Sequence, residues 1–310
     1  MGAGAMSGRF FMGLGAMVVA GFSSAPAFAQ IPADVDIPHV GPAGREAFAT
    51  EYRAAPLPKA FVIGPGGSWA WTKGRDSAED ALADALERCD RLTSHCVPFA
   101  RDDRIVFDRA AWAHALAPYP DPQAPAAKTV GWGMGERYFD LALTLPDGRR
   151  ASVGALKGKL VVLQFWGSWC PPCRVEMPDF EKLYDKFKDS PDIVFLLVNY
   201  REEGAVGRRW AARQEVKLPL ADSGSRGRED NNLYLAVAAS ESSRRSKIEG
   251  GGDSPAATPI PYGQAVALAQ VPTTLILDRH GLMLFRKSGA ADSWVEMEGQ
   301  IRHAIEYSAR

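Results

Sequence analysis

Apolar and polar positions follow different rhythms in successive stretches of the chain. Residues 1–29 hold one cation, Arg9, then an apolar run over 10–22, then Ser-Ser-Ala-Pro-Ala-Phe-Ala closing on Ala27, Phe28 and Ala29. A charged start, a short apolar middle and a small-residue end predict a secretory signal peptide over 1–29. The run is shorter than the roughly twenty residues a spanning helix needs, so cleavage is the expectation and an uncleaved N-terminal anchor the alternative. Residues 30–58 are proline-rich, weakly periodic and read as a lead-in. A strand-like run over 59–63, the turn Gly64-Pro65-Gly66-Gly67 and a return run over 68–71 predict a hairpin. Ser77 with Asp80 three residues on marks a helix start, and Leu82, Ala85, Leu86 and Cys89 then share one helical face. These elements form a small α+β domain over 59–113.

Residues 114–134 are rich in proline and alanine and read as a stiff linker. A second domain, 135–310, begins with a predicted hairpin over 139–145 and 149–153. An unbroken apolar strand over 160–166 follows, of the kind buried on both faces. A helix from 170 to about 188, a strand over 193–200, a helix over 204–214 and a strand over 216–220 come next. A closing hairpin over 273–278 and 282–286 and a helix over 294–307 complete it. Strands alternating with helices predict βαβ units and a partly parallel central sheet. Between them, 221–267 has the composition of an insertion, with Ser242 to Lys247, Gly250 to Gly252 and one apolar piece over 233–239. A partner-docking segment and a tolerated surface insertion are both open readings of it.

Composition narrows the function classes. With 36 basic against 37 acidic residues the chain has no cationic surplus to neutralise a nucleic-acid backbone, so nucleic acid is not an expected partner. At 46% hydrophobic it can build a core, which excludes wholesale disorder. Four cysteines are too few for a disulfide-built scaffold, yet they fall in two close pairs. Cys89 points inward from its helix and Cys96 follows after a turn, so a structural disulfide is expected there; zinc is the alternative, with His95 giving a cramped and incomplete ligand set.

The second pair carries the chemistry. Trp169-Cys170-Pro171-Pro172-Cys173 sits where a buried strand gives way to a helix. A helix N-terminus offers unpaired N–H groups and positive potential, which stabilise a thiolate, so Cys170 is the expected nucleophile. Cys173, one turn on and on the buried side with Met177, Phe180, Tyr184 and Phe187, is the expected resolving thiol. The two prolines occupy helix positions whose N–H groups lack partners anyway.

At this point the chain, from about 135 to 310, resembles the thioredoxin fold and, more narrowly, the periplasmic thiol-disulfide oxidoreductases of the TlpA/ResA type. The resemblance is carried by the opening hairpin, Lys157-Gly158-Lys159 before Leu160 to Trp166, the Trp-Cys-Pro-Pro-Cys motif, and Val271-Pro272-Thr273-Thr274 before a strand. It implies that Pro272 is the family's cis-proline beside the dithiol, with Trp169, Val271 and Pro272 meeting the substrate. It implies that Glu176 is an acid tuning the thiols, and that Pro178 is the proline inside the family's active-site helix. Gln164 stands where ordinary thioredoxins keep a buried Asp, which leaves Glu176 as the group to move a proton. The implied activity is reduction of specific protein disulfides such as apocytochrome c or a copper-site precursor, in the periplasm. A disulfide-containing protein is then the substrate and a membrane thiol donor the upstream partner; no cofactor beyond the redox-active Cys170–Cys173 disulfide and no metal is expected. None of His39, His95, His114, His280 and His303 shows metal or triad spacing. A disulfide oxidase or isomerase, and a copper-binding or adaptor protein of the same fold, are the competing readings.

Overall fold

A computed structural model of the chain describes residues 31–32, 34–121, 130–131, 133–225, 227 and 271–308. The expected signal peptide, residues 122–129 of the linker and most of the expected insertion, its apolar piece included, lie outside these residues.

Order begins earlier than residue 59. Helix α1 (Pro42–Glu46), with proline in its first turn, runs on into a π-helix (Ala47–Tyr52). The four-residue spacing of Phe48 and Tyr52 puts both rings on one face, stacked 5.2 Å apart, and both are buried against Phe61. The expected lead-in is thus half of a core; its proline content masked a short helix whose stability comes from burying two aromatic rings. Strands β1 (Lys59–Gly64) and β2 (Ser68–Lys73) form the hairpin, and α2 (Ala78–Asp90) starts at Ser77, whose hydroxyl accepts from the Asp80 N–H at 3.0 Å. Beyond Cys96 come strands β3 (Val97–Arg101) and β4 (Arg104–Ile105) and the single turn α3 (Arg109–Trp112), none of them expected from periodicity. The sheet order is β2-β1-β3-β4, so β1 is central and buried along its whole length.

Among the described residues the second sheet has seven strands: β5 (Ala142–Thr144), β6 (Arg150–Ser152), β7 (Leu160–Trp166), β8 (Ile193–Asn199), β9 (Leu220–Asp222), β10 (Thr273–Leu277) and β11 (Met283–Ser288). Their order is β11-β10-β7-β8-β9-β5-β6. Strand β8 runs parallel to β7, and the connection between them contains α4 (Pro171–Asp185); β10 returns antiparallel on the other side of β7. Helices α5 (Gly204–Arg213) and α6 (Glu298–Ser308) complete the layers, a 3-10 turn leading into α6. The strand expected over 216–220 is displaced to β9, because the Val216 N–H first closes α5 on the Ala211 carbonyl.

The two domains pack together. The segment between Cys89 and Cys96 lies along the outer edge of β11: the Ser94 N–H donates to the Arg286 carbonyl at 2.9 Å, and the Ser288 N–H to the Leu92 carbonyl at 2.7 Å. The expected linker also packs where it is described, with Leu116 buried among core residues of the second domain.

Candidate active site

Strand β7 is buried end to end because six of its seven residues are apolar and both faces are covered. It delivers the chain to a tight turn, Gly167 to Trp169, anchored by Glu202: the Ser168 N–H and hydroxyl donate to its two carboxylate oxygens at 2.9 and 2.6 Å. Trp169 donates its indole N–H to the Tyr200 carbonyl at 3.2 Å, and Arg201 lies over its ring. Cys170 is then the N-cap of α4 and Pro171 its first residue.

Cys170 and Cys173 are joined by a disulfide, S–S 2.04 Å. The Cys170 Sγ accepts from the Cys173 N–H at 3.2 Å, the place where an N-cap oxygen would normally sit. A thiolate at Cys170 would inherit that hydrogen bond and the helix's positive end. Cys170 is as buried as Cys173, each 2% exposed, which the expected division into an outer and an inner thiol did not foresee. The Val271–Pro272 peptide is cis, and the Val271 carbonyl oxygen lies 3.6 Å from the Cys170 Sγ.

Glu176 is 4% exposed. One carboxylate oxygen accepts from Gln164 Nε2 at 2.7 Å; the other accepts from the Ala291 N–H at 2.8 Å and from the Trp294 indole at 2.9 Å. Burial pushes its pKa from 4.5 up to about 7; the Ala291 and Trp294 hydrogen bonds and the charge of Lys287 pull the other way, and Asp179 adds to the rise. An acid that changes charge near neutrality, one helical turn from Cys173, is suited to taking and returning a proton. Pro178 lies inside α4, where its missing N–H leaves the Arg174 carbonyl without a helical partner.

Cys89 and Cys96 form the other disulfide, with Cα atoms 6.1 Å apart and Cys89 fully buried. Two histidines serve the contact between domains. His95 Nε2 is 2.7 Å from the Leu284 carbonyl oxygen, and the backbone N–H of buried His39 donates to the Glu296 carboxylate at 2.7 Å. Among the described residues no group of three or more His, Cys, Asp or Glu is arranged to hold a metal ion. Sequence reasoning missed Glu202, Lys287, Ala291 and Trp294. Lys287 gave no sequence signal, because it follows Arg286 in the polar end of β11, Arg286-Lys287-Ser288.

Residues 121–246 match the Redoxin family. The chain is 40% identical over 72 residues to the thioredoxin-like protein YneN of Bacillus subtilis, covering 23% of this chain and 42% of that protein. It is 35% identical over 86 residues to the thiol-disulfide oxidoreductase ResA of Halalkalibacterium halodurans, 28% of this chain and 48% of that one. With the thiol:disulfide interchange protein DsbE of Pseudomonas aeruginosa it shares 35% over 72 residues, 23% of this chain and 37% of that one. The chain thus spans half or less of the length of these relatives. With a strand–dithiol–helix unit at the centre of its mixed sheet, the second domain has a thioredoxin-like fold, and over the matched stretches the chain is similar to thiol-disulfide oxidoreductases of the ResA and DsbE type.

Proposed function

We propose that this protein is an extracytoplasmic thiol-disulfide oxidoreductase that reduces specific protein disulfides. The carrying observation is the placement of Cys170: its sulfur caps α4, accepts the Cys173 N–H and sits against the Val271 carbonyl. In the reduced enzyme the Cys170 thiolate attacks one sulfur of a substrate disulfide, forming a mixed disulfide and releasing the other sulfur as a thiolate. Cys173 gives its proton to the Glu176 carboxylate and attacks the Cys170 sulfur, so the second substrate thiol leaves. Two electrons have passed to the substrate, and the enzyme is left with the Cys170–Cys173 disulfide seen here. An external dithiol must then restore the reduced form.

Two features favour reduction over oxidation. A strong oxidant needs a stabilised thiolate, and Pro171-Pro172 places no hydrogen-bonding or cationic side chain between the cysteines. The buried Glu176 charge opposes a second thiolate on Cys173, which favours the oxidised enzyme and gives the dithiol reducing power. The signal-peptide reading and the buried Cys89–Cys96 disulfide support an oxidising compartment. The test is the equilibrium of the purified protein with glutathione or dithiothreitol, together with turnover of a protein disulfide. A potential in the range of thioredoxin, about −270 mV, with turnover supports the reading; a potential near that of strong oxidases, about −120 mV, reverses the direction.

A further inference from the structure

Three strands of the second sheet bring polar residues into one row. In register, Lys287 of β11 faces Thr274 of β10, and Thr274 faces Gln164 of β7. Residues directly opposite across neighbouring strands share a face of the sheet. This face is the one under α4, because Gln164 hydrogen-bonds Glu176. All four residues are buried: Lys287 and Glu176 are each 4% exposed, Gln164 2% and Thr274 1%. Burying polar groups on this face is costly unless they are bonded. Gln164 is bonded to Glu176 and Lys287 to Ser68, while the Thr274 hydroxyl between them has no hydrogen-bond partner among the described residues.

The outer end of the row belongs to the first domain. Lys287 Nζ donates to the Ser68 hydroxyl at 2.6 Å, and Thr93 bridges to Lys287 along the outer edge of β11. The β1–β2 turn closes over the lysine stem so tightly that a Cβ on Gly66, whose φ is +75°, would lie 2.9 Å from Lys287 Cδ. The same turn holds the segment that presents N–H groups to Glu176: the Asp292 N–H donates to the Gly66 carbonyl at 3.1 Å, next to Ala291.

We propose that Lys287, seated by Ser68 and the Gly64 to Ser68 turn of the first domain, is a positioning residue for Glu176, so that the first domain takes part in setting the charge of the carboxylate that serves the dithiol. The inference rests on the reading of Glu176 as the proton acceptor of Cys173. The charged groups facing Glu176 are Lys287 from β11 and Asp179 from its own helix; those facing Lys287 are Glu176 and Asp292. Burial holds the Lys287 pKa down to about 8, against the pull of those two acids, so at neutral pH it keeps its proton and favours an ionised Glu176. Without the lysine, Glu176 holds its proton to higher pH and Cys173 loses its base.

The test uses the full chain and two readouts, thiolate absorbance of the reduced protein against pH and the pH profile of protein-disulfide reduction. Lys287→Met keeps the apolar stem and removes the charge; Ser68→Ala, in the other domain, removes the partner that holds it. In both, the profile should move upward, by about one pH unit for Lys287→Met, which is about tenfold in rate on the acid limb. Ser68→Ala keeps the test open if Lys287→Met does not fold. Profiles of both variants superimposed on the parent, while Glu176→Gln alters it, would overturn the proposal and leave Glu176 in its role. A profile unchanged by Glu176→Gln as well would remove the reading underneath it.

Discussion

Gln164 Nε2 lies 2.7 Å from Glu176 Oε1, so the residue standing where a thioredoxin keeps its buried acid hands a hydrogen bond to an acid on the opposing helix. That acid, Glu176, lies on α4 one turn from Cys173. Its charge is therefore close enough to oppose a thiolate and sheltered enough from solvent to do so strongly. Glu176→Gln keeps the shape and removes the charge. At least one thiol pKa should fall, by roughly one unit, in a titration of thiolate absorbance; curves that overlay the parent would place the carboxylate's influence elsewhere.

Cys170→Ser should abolish turnover of a protein disulfide, because it removes the sulfur that caps the N-terminus of α4. Cys173→Ala should instead stall the reaction as a mixed disulfide on Cys170, visible on a non-reducing gel and cleared by dithiothreitol. Mixed disulfides mapping to a different cysteine would show that the nucleophile has been misassigned.

Replacing both Cys89 and Cys96 by serine should lower the stability of the first domain by roughly 2–3 kcal/mol, the loop-closure value for so short a loop. Turnover should persist. The loosened 90–95 segment also touches Lys287, so a modest upward move of the pH profile should accompany the lower melting temperature. Loss of all turnover with the second domain still folded would mean that the two cysteine pairs had been given the wrong roles.

Stability should respond to pH through two buried groups of opposite sign. Glu176 binds its proton more tightly in the folded state, about 7 against 4.5, so its contribution rises as pH falls across that interval. His39, held by burial at about 4 against 6.5, stays neutral when folded and takes a proton when unfolded, so its contribution falls as pH drops from 6.5 to 4. Glu176→Gln should therefore steepen the loss of stability on acidification. His39→Asn should flatten it, asparagine being suited to the positive φ of 64° at that position. Urea denaturation at several pH values for the parent and both variants reads each slope, and parallel curves for all three would refute the assignment.

The parts of the fold legible in the sequence are those where pattern and burial agree. Strand β7 announces itself as an uninterrupted apolar run, α2 by Ser77 and a regular inward face, and the dithiol by its place at a strand-to-helix junction. The lead-in was misread because Phe48 and Tyr52 draw their stability from strands found later in the chain. Strands β3 and β4 are too short and mixed for alternation to show. At the site, Cys170, Cys173, Val271, Pro272 and Glu176 come together around one helix N-terminus and the sheet beneath it. The partners of Glu176 were invisible because they are fixed by register: only pairing β11 to β10 and β10 to β7 sets Lys287 in line with Gln164, across more than a hundred residues of chain.

The coverage of β11 by the 92–95 segment bears on how the molecule behaves in a crowd. A seven-stranded sheet has two ends where unpaired amides invite a neighbouring molecule to add a strand. At one end that row of amides is engaged by a segment fastened at both ends by a disulfide. At the other end β6 is only three residues long, with exposed Arg150 as its first residue. The small domain closes the longer of those two borders, which under the proposed function would otherwise lie open to disulfide-bearing substrate chains.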